Sequence, residues 1–441
     1  MGDWREGFQR KMVPAEEAAK AVKSGDRVAF TTGREAHAIG LALAARKEEL
    51  RDVKVFVPTP GYDFGWYDPG WEDSFTIVTA FPLGINKEMV EEGRCDLYTG
   101  GITPFEMEYF EDGVDVLLTE VSSPDDRGFC SFGQSLWNKR KQVAEAGLVI
   151  AEVNKNLIRT HGDNYVHVSE IDYFVEHVSS GEVPGGTSLL GKKVKKEPDV
   201  AMRQIAKNIS ELMRDGDTFQ VGVGRTTEPL VSLGILDGKN DIGYHSEATV
   251  QGVIRLVREG VINGKYKNVR PGKAVVTSIG GDTREEMQWV HMNPLFELVD
   301  VDYVEDVRVI AAIDNYVAIN QAVAIDLFGQ ITAESLGLQL FSNAGGQIPF
   351  QIGALLSKGG RAITVLPSTA QNGTVSRIRP LLPEGTTVTI HKNLADHVVT
   401  EYGVARLRGK SRRQKTEELV NVAHPDFRAE LEKEAKKLFW P

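Results

Sequence analysis

Short apolar runs that do not alternate with polar residues recur through the first half of the chain: "DRVAFTT", "VKVFVP", "TIVTA", "VDVLLTEV" and "LVIAEV". Such runs fit strands buried on both faces of a largely parallel sheet. Between them "PAEEAAKAVKSG" and "AIGLALAARKEEL" have helical spacing, the former with Pro14 in its first turn and Gly25 as its stop. The second half starts the pattern again. "PDVAMRQIAKNISELMRDG", "TEPLVSLGIL" and "IPFQIGALLSKGG" read as helices, and "DTFQVGVG", "AVVTSIG", "VRVIAAI", "AITVL" and "TVTIH" as strands. A charged amphipathic helix follows "AHPDF". Alternation of this kind predicts an α/β fold.

At 441 residues the chain exceeds a comfortable single core, which predicts two domains. "GEVPGGTSLLGKKVKKEPD", residues 181–199, interrupts the alternation with Gly, Pro and four lysines (Lys192, Lys193, Lys195, Lys196) and reads as a linker. The expected division is therefore 1–190 and 191–441.

Net charge is −11, which argues against a nucleic-acid surface or an anionic membrane patch. The only cysteines, Cys95 and Cys130, form no CxxC and suit a reducing compartment. The first twenty residues carry charges where a signal peptide needs an apolar core, and no apolar run approaches a membrane span. A soluble cytoplasmic protein is expected. Its nine histidines show no HxxEH or HxH spacing, so no metal site is expected.

One carboxylate stands out. In "DIGYHSEATVQGVIRLVREG", residues 241–260, Val250, Val253, Ile254 and Val257 fall on one helical face. That predicts a helix with Ser246 as N-cap and Glu247 as a first-turn acid near the positive helix end. By itself, helix chemistry accounts for Glu247 fully. There is no GxSxG elbow, and neither cysteine sits in a recognisable motif with histidine, so a carboxylate is the remaining candidate nucleophile.

Two glycine loops could approach a ligand. "VGVGRT", residues 221–226, follows a predicted strand, where backbone amides free of Cβ crowding can reach a phosphate or carbonyl. Thr227 occupies the place of the third glycine of a dinucleotide fingerprint, and a tight turn with no ligand explains the loop equally well. In "SNAGGQIPF", Pro349 suits the first turn of a helix that Gly345 and Gly346 would precede, leaving unpaired amides for an oxyanion or a phosphate. An ordinary glycine loop remains open there too. The aromatic stretch "GYDFGWYDPGWEDSF", residues 61–75, either packs on itself or walls an acyl pocket.

Taken in order, these segments resemble the acetyl-CoA hydrolase/transferase family, the class I coenzyme A transferases of the 4-hydroxybutyrate and butyryl-CoA:acetate type. "VSSPDDRGFCSFGQS" and "VNKNLIRTHGDNYVHVSEIDYFVE" resemble its N-terminal signatures. "GYHSE", "INQAVAIDLFGQITAES", "NAGGQIPF", "STAQNGTVSRI" and "VVTEYGVARLRGKSRRQKTEELVNVAHPDF" resemble its C-terminal ones. The resemblance implies two open α/β/α domains of the CoA-transferase (NagB-like) type with the active site between them. It also makes Glu247 the nucleophile, kept ionised by a helix N-terminus, and implies a ping-pong reaction through a glutamyl-CoA thioester.

His245, Gly345 and Gly346 are the implied oxyanion or substrate contacts. Gly222, Val223, Gly224, Arg225 and Thr226 form the implied CoA-binding turn, with Asn320, Gly345 and Lys358 as further CoA contacts. Coenzyme A is a substrate here, with no tightly bound cofactor, and the partners are acyl-CoA and a small carboxylate. A homodimer is the family expectation. Ile158 and Pro349 depart from residues common in the family, which leaves the acyl group open. The rival expectations are an acyl-CoA hydrolase using the same glutamate and a non-catalytic acyl-CoA sensor.

Overall fold

The computed structural model describes residues 4–98, 113–179, 200–281 and 283–439. The expected linker, its four lysines and the 190/191 division lie outside the described residues. The chain forms two compact units, Met1–Lys193 with Val276–Tyr303, and Val194–Val275 with Val304–Pro441. Residues 276–303 thus pack with the first unit although they follow part of the second in sequence. Local hydrophobic pattern carries no record of such a crossing. Among the described residues no helix is long and apolar enough to cross a membrane.

The first unit is built on a seven-stranded, wholly parallel sheet. Its strands are β1 (Arg27–Phe30), β2 (Val53–Val57), β3 (Phe75–Thr79), β4 (Asp96–Leu97), β5 (Val116–Val121), β6 (Leu148–Val153) and β7 (Tyr173–Glu176). Their order is β4-β3-β2-β1-β5-β6-β7. The chain therefore winds outward from β1 and returns to its other side at β5. Every residue of β5 is buried, as the unalternating runs predict. Helix α1 (His37–Ala44) presents a nearly continuous apolar surface, with Ile39 and Leu43 in the same core as Val28 and Val55.

The aromatic stretch packs into this core rather than standing out as a wall. Trp66 is wholly buried, with ring centroids 6.0 Å from Phe30 and 5.7 Å from Phe75. Phe64 lies where a Cβ on Gly40 would be, so that helical glycine makes room for it. Trp71 is capped by the Lys47 ammonium, 4.4 Å from its ring centroid. The stretch is tied down by Glu35, whose carboxyl accepts from the Gly61 and Tyr62 amides at 2.8 and 2.9 Å.

The second unit carries β8 (Thr218–Val221), β9 (Gly243–Ala248), β10 (Tyr316–Gln321), β11 (Arg361–Val365), β12 (His397–Thr400) and β13 (Gly403–Arg406), adjacent in the order β9-β8-β10-β11-β12-β13. All neighbours are parallel except the β12–β13 hairpin. Helices α2 (Val200–Ser210), α3 (Val253–Arg258), α4 (Val307–Ala312), α5 (Gln347–Leu356) and α6 (Pro425–Phe439) complete its main frame. Leu431 and Ala435 of α6 join Leu419 and Val398 in a second core.

Three expected elements differ. "VRVIAAI" is helix α4, because the Asp306 side chain accepts from the Arg308 amide at 2.7 Å and caps it; the strand is the next segment, β10. "TEPLVSLGIL" forms a run of turns, with bonds such as Leu230 N to Thr227 O, instead of a regular helix. "TVTIH" contributes only an isolated bridge from Ile390 to Ile331.

Two substitutions test this frame. Gly162 has φ +108°, and a Cβ there would overlap the Leu298 carbonyl, which accepts from Asp163 N while Leu298 N donates to His161 O. Gly162→Ala should therefore cost about 2–4 kcal/mol in denaturant unfolding, by backbone strain and by parting residues 161–163 from Leu298. No loss of stability would contradict that role.

Burial pushes the Glu35 carboxyl up to about 8, against the opposing pull of the two amides it binds. A folded pKa above the unfolded one means that native Glu35 retains its proton longer. Its stabilising contribution is complete below about 4.5 and is lost as pH rises through about 8. Wild type should then lose thermal stability from pH 5 to pH 8 relative to Glu35→Gln, by an amount on the order of a few kcal/mol. Parallel profiles would contradict the assignment.

Candidate active site

Glu247 lies one residue from the carboxyl end of β9 and not in a helix. The helix expected to begin there starts only at Val253, after Gly252 at φ +92°. Ser246 is thus a buried strand residue and not an N-cap. The apolar spacing that suggested one long helix holds from Val253 onward, where Val253, Ile254, Leu256 and Val257 are buried. Upstream, "GYHSEA" is an extended segment covered on both sides, and successive side chains alternate faces. His245 and Glu247 consequently share one face.

Several bonds hold β9 in place. Tyr244 Oη donates to the Ala248 carbonyl, and Tyr316 Oη on β10 donates to the His245 carbonyl, each at 2.6 Å. His245 Nε2 lies 2.9 Å from the Val304 carbonyl, which can only accept, so this nitrogen carries the proton. Burial, and then the charge of Lys267, push the imidazole down to about 3, so it stays neutral. His245 is fully buried and leaves no surface to offer a substrate. Its bond to the Val304 carbonyl fixes the residue that precedes Glu305.

Glu305 is the residue that sequence did not reveal. It is fully buried, and its carboxyl packs beside that of Glu247 against Gly346. Two carboxylates are both acceptors, so a hydrogen bond between them would require a proton on one. Burial raises the Glu247 pKa, with the neighbouring Glu305 opposing the rise. The expectation of a carboxylate held ionised by its own helix is overturned: β9 supplies no helix end, and burial acts the other way. Glu247 keeps part of its surface exposed, although its strand neighbours Ser246 and Ala248 do not.

Gly346 completes the cluster. A Cβ there would lie 2.5 Å from Glu305 Oε1, 2.9 Å from Glu247 Cδ and 3.0 Å from Glu247 Oε2, so no larger residue fits without movement. Gly346 is the N-cap of α5, and Gly345 beside it has φ +54°. A helix amino end thus abuts the carboxyl pair, but it belongs to α5. Pro349 is buried in the first turn of that helix.

The turn Gly222–Thr226 follows β8, next to β9 in the sheet. It lies where the chain has wound from β8 to β9 and returned on the other side at β10, the position where open α/β sheets hold ligands. Gly222 N donates to Ile319 O at 2.8 Å, and Thr226 N donates to Gln321 Oε1 at 3.2 Å. A Cβ on Gly222 would lie 2.7 Å from Asn320 Oδ1. Asn320 is buried and exchanges side-chain bonds with Gln220 at 3.0 and 3.3 Å. The Asn320 side chain therefore crowds any Cβ at position 222, while Val223 and Arg225 keep exposed surface.

Lys358 is not brought to this cluster. It follows the far end of α5, a helix of ten residues or roughly 15 Å. Its carbonyl accepts from Asn315, which precedes β10 at the opposite edge of the sheet.

Comparison with known proteins agrees with this architecture. Residues 2–181 match the acetyl-CoA hydrolase/transferase N-terminal domain, and residues 283–435 match the C-terminal domain of the same family. A 4-hydroxybutyrate coenzyme A transferase of Clostridium kluyveri is 41% identical, over 99% of this chain and 100% of the relative. A succinyl-CoA:cyclohexane-1-carboxylate CoA transferase of Geobacter metallireducens is 34% identical, over 98% and 96%. The crystal structure of RipA from Yersinia pestis superposes with a TM-score of 0.87 at 29% identity, each chain covered in full. Both family halves in chain order, with identity running end to end, place this chain in the acetyl-CoA hydrolase/transferase family as an enzyme of CoA-transferase type.

Proposed function

We propose that the protein moves coenzyme A from an acyl-CoA to a free carboxylate by a ping-pong route through a thioester on Glu247. The observation that carries the proposal is Glu247 itself. It is partly exposed at the carboxyl edge of the sheet, against the amino end of α5, in a chain whose relatives are CoA-transferases. A carboxylate and a thioester exchange poorly in water, and an enzyme carboxylate divides the exchange into reversible halves.

Glu247 attacks the acyl carbon of the donor and releases CoA thiolate, leaving an acyl-glutamyl anhydride. The thiolate then adds to the glutamyl carbonyl and expels the acyl group as its carboxylate. The acceptor acid reverses both steps. Amides at Gly345 and Gly346 serve as oxyanion donors, each worth about 3–4 kcal/mol when preorganised. The turn Gly222–Thr226 and Asn320 hold part of the CoA, whose remote binding energy positions the thioester. Relatives act on acids as different as 4-hydroxybutyrate and cyclohexane-1-carboxylate, so a carboxylate panel is needed to identify the acceptor.

Incubation with an acyl-CoA and no acceptor should attach CoA to the peptide containing residue 247, seen by mass spectrometry. Initial rates against acyl-CoA and carboxylate should give parallel double-reciprocal lines. Glu247→Ala should lower kcat/KM by about 10⁴-fold or more. An alanine variant that transfers CoA near the wild-type rate would sink the reading. Release of free CoA independent of added carboxylate would instead identify a hydrolase.

We also propose a cytoplasmic homodimer, on family resemblance and on the two unpaired cysteines, Cys95 and Cys130. Light scattering at micromolar concentration should give twice the mass of one chain; a monomer mass would overturn the dimer.

A further inference from the structure

We propose that Glu305 is a further catalytic residue. Its carboxyl holds the proton of the Glu247–Glu305 pair and donates it as a hydrogen bond to the Glu247 oxygen that becomes an oxyanion when CoA thiolate adds. This rests on the glutamyl-CoA reading above and names a residue which that reading leaves without a task.

Three features of the geometry support it. Glu305 is fully buried beside the Glu247 carboxyl, the group that would carry the thioester. The absent Cβ of Gly346 leaves both carboxyl groups on one small patch of backbone. The His245 bond to the Val304 carbonyl holds the chain immediately before Glu305 against β9.

The chemistry balances without consuming the proton. In the first half a Glu247 oxygen forms a C–O bond to the acyl carbon, and the C–S bond breaks with its electron pair leaving on sulfur. In the second, thiolate sulfur bonds to Glu247 Cδ, and the carbonyl π electrons move onto the glutamyl oxygen. Collapse restores the carbonyl and breaks the anhydride C–O bond, releasing the acyl carboxylate. The Glu305 proton remains on Glu305 throughout and stabilises the oxyanion of this second addition. A carboxylic acid kept neutral by burial is an effective donor to an oxyanion.

The surrounding groups leave the pair to titrate together. On β9, His245 is neutral and Tyr244 is pushed up by burial. On β10, Tyr316 is pushed well above its ordinary value, first by burial and further by Tyr244, Glu247 and Glu305. Lys267 spends its ammonium on the Tyr244 and Lys273 carbonyls and, with Arg270, acts on His245. Asp306, next in sequence, is held below its usual range by its hydrogen bond from Arg308. The amino end of α5 completes the surroundings.

Activity should therefore be bell-shaped in pH. The pair needs one proton: two protons remove the nucleophile, and none removes the donor.

The test measures single-turnover formation of the Glu247–CoA thioester against pH in wild type, Glu305→Gln and Glu305→Ala. Acyl-CoA affinity and thermal unfolding are recorded for each. Glu305→Ala should slow thioester formation by about 10²–10³-fold while leaving acyl-CoA affinity in place. Glu305→Gln, which donates but cannot ionise, should recover much of that loss and abolish the alkaline limb while keeping the acid one. Wild-type rates in a folded Glu305→Ala, or an alkaline limb that persists in Glu305→Gln, would overturn the role of Glu305 with the thioester reading intact. Wild type that never labels residue 247 would overturn both.

Discussion

The close approach of the Glu247 and Glu305 carboxyl groups is the constraint on which the site depends. Two ionised carboxyl groups this close repel each other unless a proton lies between them, and burial by itself already disfavours the Glu247 charge. The fold answers with several independent restraints. Gly346 removes the one side chain that would part them, His245 anchors the residue before Glu305, and Tyr316 anchors the backbone of β9. Each restraint comes from a different stretch of chain, so the pair exists only once the second unit has folded.

The parallel sheet explains where that pair can stand. Strands β8, β9 and β10 run in one direction, so their carboxyl ends gather Glu247, the turn at Gly222 and Asn320 along one edge. Helix α5 begins at that edge and ends at the other, which puts Gly346 beside Glu247 and Lys358 past the far end of the helix. The first unit repeats the principle between β1 and β5, but its aromatic stretch is used for packing: Trp66 and Phe75 are core residues.

Much of this was legible in the sequence because burial on both faces writes itself into composition. "VLLTEV" and "RAITV" lie where unalternating runs place them, and Pro349 with the paired glycines marks the start of α5 correctly. Local pattern failed where capping or tertiary contact decided the outcome. "VRVIAAI" has strand-like residues, yet one Asp306 bond makes it a helix. Glu247 reads as a helical residue because Val253 and Val257 carry helical spacing, and only Gly252 reveals the break. Nothing in "DYVEDV" distinguishes Glu305 from a solvated acid, since its significance lies in a partner 58 positions earlier.

The account is tested most directly by a crystal structure of the protein exposed to an acyl-CoA without acceptor. It predicts continuous density from Glu247 Cδ to the CoA sulfur, with the glutamyl oxygen within hydrogen-bonding distance of Glu305. A free Glu247 carboxyl beside intact acyl-CoA, or a thioester whose oxygen faces away from Glu305, would contradict it.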